Sequence, residues 1–586
     1  MTTWYFDRFE SRKPPEPVPY SAAREWVFQA LAVAALLLGV FYLWWRWTDS
    51  IRGAPLWFAL PLAAAETLAF IGSALFFLSI WRTRDPVPQP PPRSVNDLLA
   101  TPLAEDRPLI VDVFFPTYSE DPELVRLSLR DGKKLTYPHP LDLRIHVLDD
   151  GNRAAMRKVA EEEGAGYLTR PGNQGYKAGN LRSAMEQTQG DLIVICDADT
   201  RPFPQLLERT LGYFRDPAVA WVQTPQWFFD LDEGRPLPGP LQWFFGPSGN
   251  DPLGNDPQLF FDVIQRRRNW CNAAFCCGAG SVHRREAVME AAVKAFGAQV
   301  HQELLRAQER APDGLEVEDP ELRGVLDSAM AGEAARATEL TPYKFHVSED
   351  LYTSIVLHGD RERRWRSVYH PEVLSKMLSP QDLLAWTIQR FKYAGGTLDI
   401  AAHDSPLFSP GLSAWQKLMY GATIWSYLAP LWTVPFLLAP ILYFFTGKAP
   451  VNTWDAAFYA HALPFLFLNR IAFMIGTWGV PSTRGEQYYL AFFWVNLRAL
   501  ADVVRGKPIR FQVTPKTRAA RRFVSLAWPH LALVGLTVVS AAFRGVQVAH
   551  GVGQPSAFVA NVFWSINNFW SLSPLIFAAF RTQEAA

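Results

Sequence analysis

The chain has 586 residues, enough for several domains, and its 57 Lys+Arg are balanced by 57 Asp+Glu. That balance excludes the bulk basic charge of a nucleic-acid partner. Four cysteines (Cys196, Cys271, Cys276, Cys277) form no Cys-x-x-Cys pair, which argues against a metal ribbon, a redox motif or a disulfide framework. The bias lies in the aromatics: 22 Trp and 40 Phe suit membrane-interface belts and surfaces that stack on sugars.

Two apolar runs open the chain, roughly 26–47 and 56–81, each long enough to cross a bilayer as a helix. No small-residue cleavage site follows the first, so it reads as a retained helix rather than a signal peptide. Residues 1–84 form this first unit. A proline-rich linker, 85–106, follows. From 107 to 410 the pattern is that of an α/β domain. Short continuous apolar runs (109–115, 143–148, 191–196 and 219–222) alternate with helical stretches, which predicts a mostly parallel sheet covered on both faces. A charged, Ala-rich stretch at about 289–342 reads as a helical insertion with a regulatory or association role. Residues 411–586 return to apolar runs at about 420–445, 456–478, 523–543 and 557–580, giving about six spans in total. The stretch 488–504 reads as an interfacial helix. Arg82, Arg84 and the basic stretch from Arg505 to Arg522 fall on one side of such a bundle, which places the α/β domain in the cytoplasm. No internal repeat supports a transporter built from inverted repeats.

Six motifs carry the chemistry. Thr117, Tyr118 and Glu120 follow the first predicted strand, Asp149 and Asp150 the second, and Asp197 and Asp199 the third. Ligands of open α/β sheets sit outside the carboxyl ends of the strands. An Asp-x-Asp pair puts two carboxylates on one side of an extended backbone, suited to a hard divalent cation bridging to phosphate. Each motif alone also fits a solvated turn, but together with Lys177 they form a set. Glu349 and Asp350 follow Ser348, where a carboxylate could serve as general base or simply enrich a capped first turn. Gln389, Arg390, Lys392 and Tyr393 lie on a helix expected to end at Gly395 and Gly396. They read either as cations for a departing diphosphate or as a basic membrane-surface helix. Phe511, Val513, Thr514 and Lys516 precede a span and read either as a closing loop or as a lipid-facing basic loop.

In this order the motifs resemble those of processive family 2 glycosyltransferases, bacterial cellulose synthase catalytic subunits and related curdlan or mixed-linkage β-glucan synthases. The resemblance runs from about 109 to 516. It implies a GT-A-like, Rossmann-related domain in the bacterial inner membrane, catalytic side cytoplasmic. It also implies polymerisation of glucose from UDP-glucose by inverting transfer, with the growing glucan passed across the bilayer to a periplasmic export partner. By the same resemblance, Tyr118 stacks near the uracil, and Asp149 or Asp150 with Lys177 holds the nucleotide. Asp197 and Asp199 bind Mg2+ or Mn2+, and Asp350 is the base. Gln223 lines the acceptor path, residues 275–278 lie below the acceptor, and Gln389, Arg390 and Tyr393 support the diphosphate and acceptor. The loop from Phe511 to Lys516 closes over the donor. Three departures stand out. Ser348 replaces the family Thr. Lys392-Tyr393 replaces Arg-Trp, which leaves a β-1,4 or β-1,3 product open because Lys lacks the planar fork of Arg. No PilZ-type domain follows the last span, so this chain does not supply cyclic-di-GMP control. Hyaluronan-type or chitin-type synthesis, and a non-catalytic polysaccharide transporter, are the alternatives.

Overall fold

The computed structural model describes residues 4–231, 251, 253–309, 328, 340–451, 456–510 and 521–581. An arm over residues 4–20 leads into helices α1 (Ala22–Trp45) and α2 (Leu56–Ser79). The α/β domain follows in the order β1 (Leu109–Thr117), α3 (Pro122–Gly132), β2 (Leu141–Asp149), α4 (Ala154–Glu162), β3 (Gly166–Leu168), α5 (Tyr176–Gln187), β4 (Leu192–Ile195), β5 (Arg201–Pro202), α6 (Leu206–Thr210), β6 (Val219–Gln223), β7 (Ser281–Arg284), α7 (Arg285–Glu309), α8 (Glu349–His358), β8 (Arg366–Tyr369), β9 (Ser375–Lys376) and α9 (Leu383–His403). The remaining helices are α10 (Ala414–Tyr427), α11 (Pro430–Thr446), α12 (Ala456–Gly476), α13 (Thr483–Ala491), α14 (Phe493–Val504), α15 (Trp528–Ala549) and α16 (Pro555–Phe580).

Seven strands form one sheet in the order β3-β2-β1-β4-β7-β6-β8. β1 pairs in parallel with β2 and β4, β2 with β3, and β6 with β8; β7 is antiparallel to both β4 and β6. The pleat of β1 explains its apolar run: Val111, Val113 and Phe115 enter the core on one face and Phe114 the core on the other. This is the mostly parallel α/β sheet that the run pattern predicts, in keeping with the GT-A-like fold that the resemblance implies. The expected insertion begins within α7; its stretches 310–327 and 329–339 lie outside the described residues.

Five segments are long and apolar enough to cross a membrane: Ala22–Ser50, Leu56–Ser79, Ala414–Thr446, Ala456–Gly476 and Trp528–Ala549. The sixth expected span is helix α16. It has the length, but Asn561, Ser565, Asn568 and Ser571, spaced three or four residues apart, make a buried polar stripe that lowers its hydropathy. The expected interfacial helix is two helices, α13 and α14. α14 docks under α9 through Ala499 against Ala394 and Leu398.

α9 does not end at its glycines. It continues through Gly395 and Gly396 to His403, because both serve close packing. A Cβ on Gly395 would meet Ile509 at 3.0 Å, and one on Gly396 would collide with Ser348 Oγ. The serine before α8 makes no side-chain cap; its neighbour Gly396 crowds the hydroxyl instead.

Candidate active site

Strand register assembles the site. Thr117 pairs with Asp149 across β1 and β2, and Phe114 with Ile195 across β1 and β4. The three polar strand ends therefore emerge side by side at the carboxyl edge of the sheet. Antiparallel β7 sets Ser281 beside Ile195, which brings the turn at Gly278 to the same edge. There Gly278, at φ +80°, leaves room that a Cβ would fill 3.3 Å from Lys177 Nζ and 3.7 Å from Asp350 Oδ2.

Charges of both signs converge at that point. Lys177 Nζ donates to Asp197 Oδ1 at 2.6 Å. Burial opposes the lysine's charge, but Asp197 and then Glu349 overcome it and raise its pKa. Burial drives Glu349 up to about 7, with Asp350 adding to the rise. Burial also raises Asp350, against the Leu351 N–H and the two lysines. Lys392 is lowered by burial and held against that by Glu349 and Asp197. Three carboxylates and two ammonium groups thus meet at the sheet edge, all but the half-exposed Asp197 withdrawn from solvent. Perturbed titratable groups gathered like this mark a functional-site candidate.

The other expected residues take more varied places. Asp199 accepts the Leu378 N–H at 3.0 Å. Asp149 is buried and occupied by protein donors: the N–H groups of Gly151 and Arg153, the Arg153 guanidinium and the Tyr167 hydroxyl. Asp150 forms a two-pronged pair with Arg170 at 2.7 and 2.8 Å. Thr117 donates to Glu120 and accepts from Arg153. Glu120 also accepts the Tyr118 N–H, leaving the Tyr118 ring 46% exposed. Gln223 is fully buried, with Nε2 on the carbonyls of Thr224 and Ala279 and Oε1 on the Cys277 N–H, so it ties β6 to the 275–280 turn. Arg390 faces the rings of Tyr393 and Phe492 at 5.9 and 5.7 Å. Phe511, Val513, Thr514 and Lys516 lie outside the described residues.

Sequence reasoning named Lys392 among the cations of the α9 motif but passed over Arg153 and Arg170. Lys392 is three residues after Gln389, hence on its face of α9. Arg153 is four residues from Asp149 in sequence, a spacing that could have been noticed. Arg170 has no local signal.

Within the apolar helices, Arg46 is fully buried. Its Nε donates to Glu66 at 2.8 Å and its Nη1 to Ser50, while Tyr42 OH donates to Glu66 at 3.0 Å. Tyr42 and Glu66 of this set border a cavity of about 320 Å3 lined by Phe70, Phe436, Asn469, Trp564 and Asn568 among others. That is inside the roughly 300–1,000 Å3 range of ligand sites.

Residues 112–291 match the model of the Glycosyl transferase family 2. Cellulose synthase 1 of Komagataeibacter xylinus is 29% identical over 443 residues, which cover 75% of this chain and 24% of that protein. The UDP-forming cellulose synthase catalytic subunit of Pseudomonas fluorescens SBW25 is 27% identical over 573 residues, covering 95% of this chain and 67% of its own length. This chain thus spans about a quarter of the first relative. Among solved structures, the mannosyltransferase PcManGT from Pyrobaculum calidifontis, in complex with GDP-Man and Mn2+, is a distant likeness: TM-score 0.44 and 14% identity, covering 75% of this chain and 99% of that one. Over residues 112–291 the chain is thus similar to family 2 glycosyltransferases, and as a whole it resembles the bacterial cellulose synthases.

Proposed function

We propose that the protein is a membrane-embedded, processive β-glucan synthase that uses UDP-glucose by inverting transfer, with its catalytic domain on the cytoplasmic side of a bacterial inner membrane. The observation that carries this reading is the convergence of Lys177, Asp197, Glu349, Asp350 and Lys392 at one strand edge, above helices able to span a bilayer. The names of the similar proteins add the polymer and the nucleotide.

The acceptor hydroxyl lies against Asp350 and gives up its proton to that carboxylate. The oxygen attacks the anomeric carbon from the face opposite the diphosphate, and the bond from that carbon to the diphosphate oxygen breaks. UDP leaves toward Lys177 and Lys392, whose ammonium groups meet the charge that develops on it. Lys392 takes this place rather than Arg390, which walls the site with Tyr393 and Phe492. Burial keeps the proton affinity of Asp350 high, and Asp350 adds to that of Glu349. Gln389 and Tyr393 orient the acceptor sugar, and exposed Tyr118 offers a face to the uracil. Asp149 and Asp150 act through Arg153 and Arg170, which they hold in place at the nucleotide edge. The donor set at the Asp-x-Asp pair fits a hard divalent cation: both side chains are acceptors only, and Asp197 is half exposed. Held by Asp197 and Asp199, Mg2+ or Mn2+ supplies neutralisation of the diphosphate when bound. The loop with Phe511, Val513, Thr514 and Lys516 closes over the donor and excludes water. The glucan leaves through the polar-striped cavity beside α16, across the bilayer and toward a periplasmic export partner.

The test is labelled UDP-glucose supplied to proteoliposomes, followed by digestion of the product with β-1,4- and β-1,3-specific glucanases. Glucanase-sensitive polymer supports the proposal and fixes the linkage. Polymer formed only from another nucleotide sugar overturns it in favour of a hyaluronan-type or chitin-type synthase. No polymer from any donor overturns it in favour of a transporter.

A further inference from the structure

The arm that precedes the first spanning helix does not trail into solvent. Phe6 and Phe9 are buried, 1% and 7% exposed, in an apolar cluster with Leu124, Trp227, Phe229, Val373 and Leu378. A short 3-10 turn, Asp7–Phe9, held by the Trp4 N–H on Asp7, sets the two rings on one side. Arg12 donates to the carbonyls of Phe229 and Leu231.

The polar contacts of the arm reach both sides of Asp199. Downstream, Glu10 pairs with Arg201 of β5, two residues after Asp199, and with Lys376 of β9 at 2.6 Å, so it bridges the two strands of that small sheet. Opposite, Tyr5 OH donates to Asp230 at 2.9 Å. Asp230 also accepts from Ser379 N at 3.0 Å, Ser379 Oγ and Gln381 Nε2. This pins the segment whose Leu378 N–H bonds Asp199 at 3.0 Å. The same segment ends at Asp382, which caps α9 by accepting from Ala385 N. One peptide thus fixes the second Asp of Asp-x-Asp and the origin of the helix carrying Gln389 and Lys392.

We propose that Tyr5, Phe6 and Glu10 are positioning residues for the donor site: the arm holds Asp199 and the start of α9 in the geometry that receives a divalent cation and a diphosphate. The inference rests on the reading of Asp197 and Asp199 as the metal-diphosphate pair. Hydrogen-bonded partners of a ligating carboxylate set its orientation, and their loss typically weakens metal binding about 10–100-fold. Because the arm acts one link further out, the expected effect is at the lower end of that range.

The experiment is calorimetric titration of UDP into the full-length protein in detergent at a series of Mn2+ concentrations, with melting temperature followed in parallel. The variants are Tyr5→Phe/Glu10→Gln, Phe6→Ala, the conservative Phe6→Leu and Asp199→Asn. Tyr5→Phe/Glu10→Gln and Phe6→Ala are expected to raise the Mn2+ needed for half-maximal UDP affinity about tenfold, with Phe6→Leu restoring it. If Asp199→Asn shifts the Mn2+ dependence while the arm variants lower only the melting temperature, the arm is a structural tether and the inference fails. If Asp199→Asn leaves the Mn2+ dependence untouched, the donor-site reading fails and takes the inference with it.

Discussion

The molecule buries charge in two places and treats it in opposite ways. Inside the long apolar helices, Arg46, Glu66, Tyr42 and Ser50 form a hydrogen-bonded set with one charge of each sign. At the sheet edge, three carboxylates face two lysines, and Glu349 and Asp350 are left with raised proton affinity. A pair in an apolar bundle must be satisfied within the protein, because lipid offers no donors. A site that must release and accept protons and receive a diphosphate gains from groups held away from their ordinary state. The first cluster is therefore replaceable as a unit; the second is not.

The largest expected effect comes from the catalytic side. Asp350→Asn should lower polymer synthesis about 10²–10⁴-fold while leaving UDP affinity near wild type, read by radiolabel incorporation and calorimetry; retained turnover would end the base assignment. Next in size is the membrane pair. Arg46→Ala or Glu66→Ala alone should destabilise by about 3–5 kcal/mol, since each strands a buried charge, whereas Arg46→Met/Glu66→Leu should recover most of the loss. Thermal or denaturant unfolding in detergent measures this. A double variant no better than the singles would show that the membrane cluster, too, is functional in kind.

A smaller effect is expected at Gly278. A side chain at φ +80° is strained by about 1–2 kcal/mol, and the Cβ would crowd Lys177 and Asp350. Gly278→Ala should cut kcat roughly tenfold, the rate equivalent of about 1.4 kcal/mol, with little change in melting temperature. Smallest is the pH effect. Because burial raises both carboxyls, with Glu349 at about 7, the deprotonated base gains population as pH rises. Synthesis should fall on the acid side at a pH above the roughly 4 of an ordinary carboxylate, because burial raises Asp350. An acid limb near pH 4 in wild type would contradict the raised base. For stability the sign runs the other way. Raised carboxyls favour the folded state below about pH 4, and that contribution is lost as pH rises through about 7.

The fold was legible where its cause is local. A short, β-branched and aromatic run such as 109–115, broken only by Asp112, reads as a strand buried on both faces, and a run of some twenty apolar residues is long enough to span a bilayer. Asp197, Glu349 and Asp350 could be placed from sequence because they follow a strand end or open a helix. The sequence by itself thus determined the alternation of elements, the membrane segments and the acidic positions at the strand ends.

Tertiary structure decided what each charge meets. Gln223 proved to be sealed into a backbone tie, and Asp149 and Asp150 to be occupied by Arg153 and Arg170. Lys392, not Arg390, turned toward the carboxylates. The glycines of α9 serve close contact rather than termination, and the polar stripe of α16 turned inward. Partners such as Glu10 and Lys376 stand 366 residues apart in the chain. No local pattern encodes such pairings, because they depend on strand register and helix rotation, which the packing of the whole core sets.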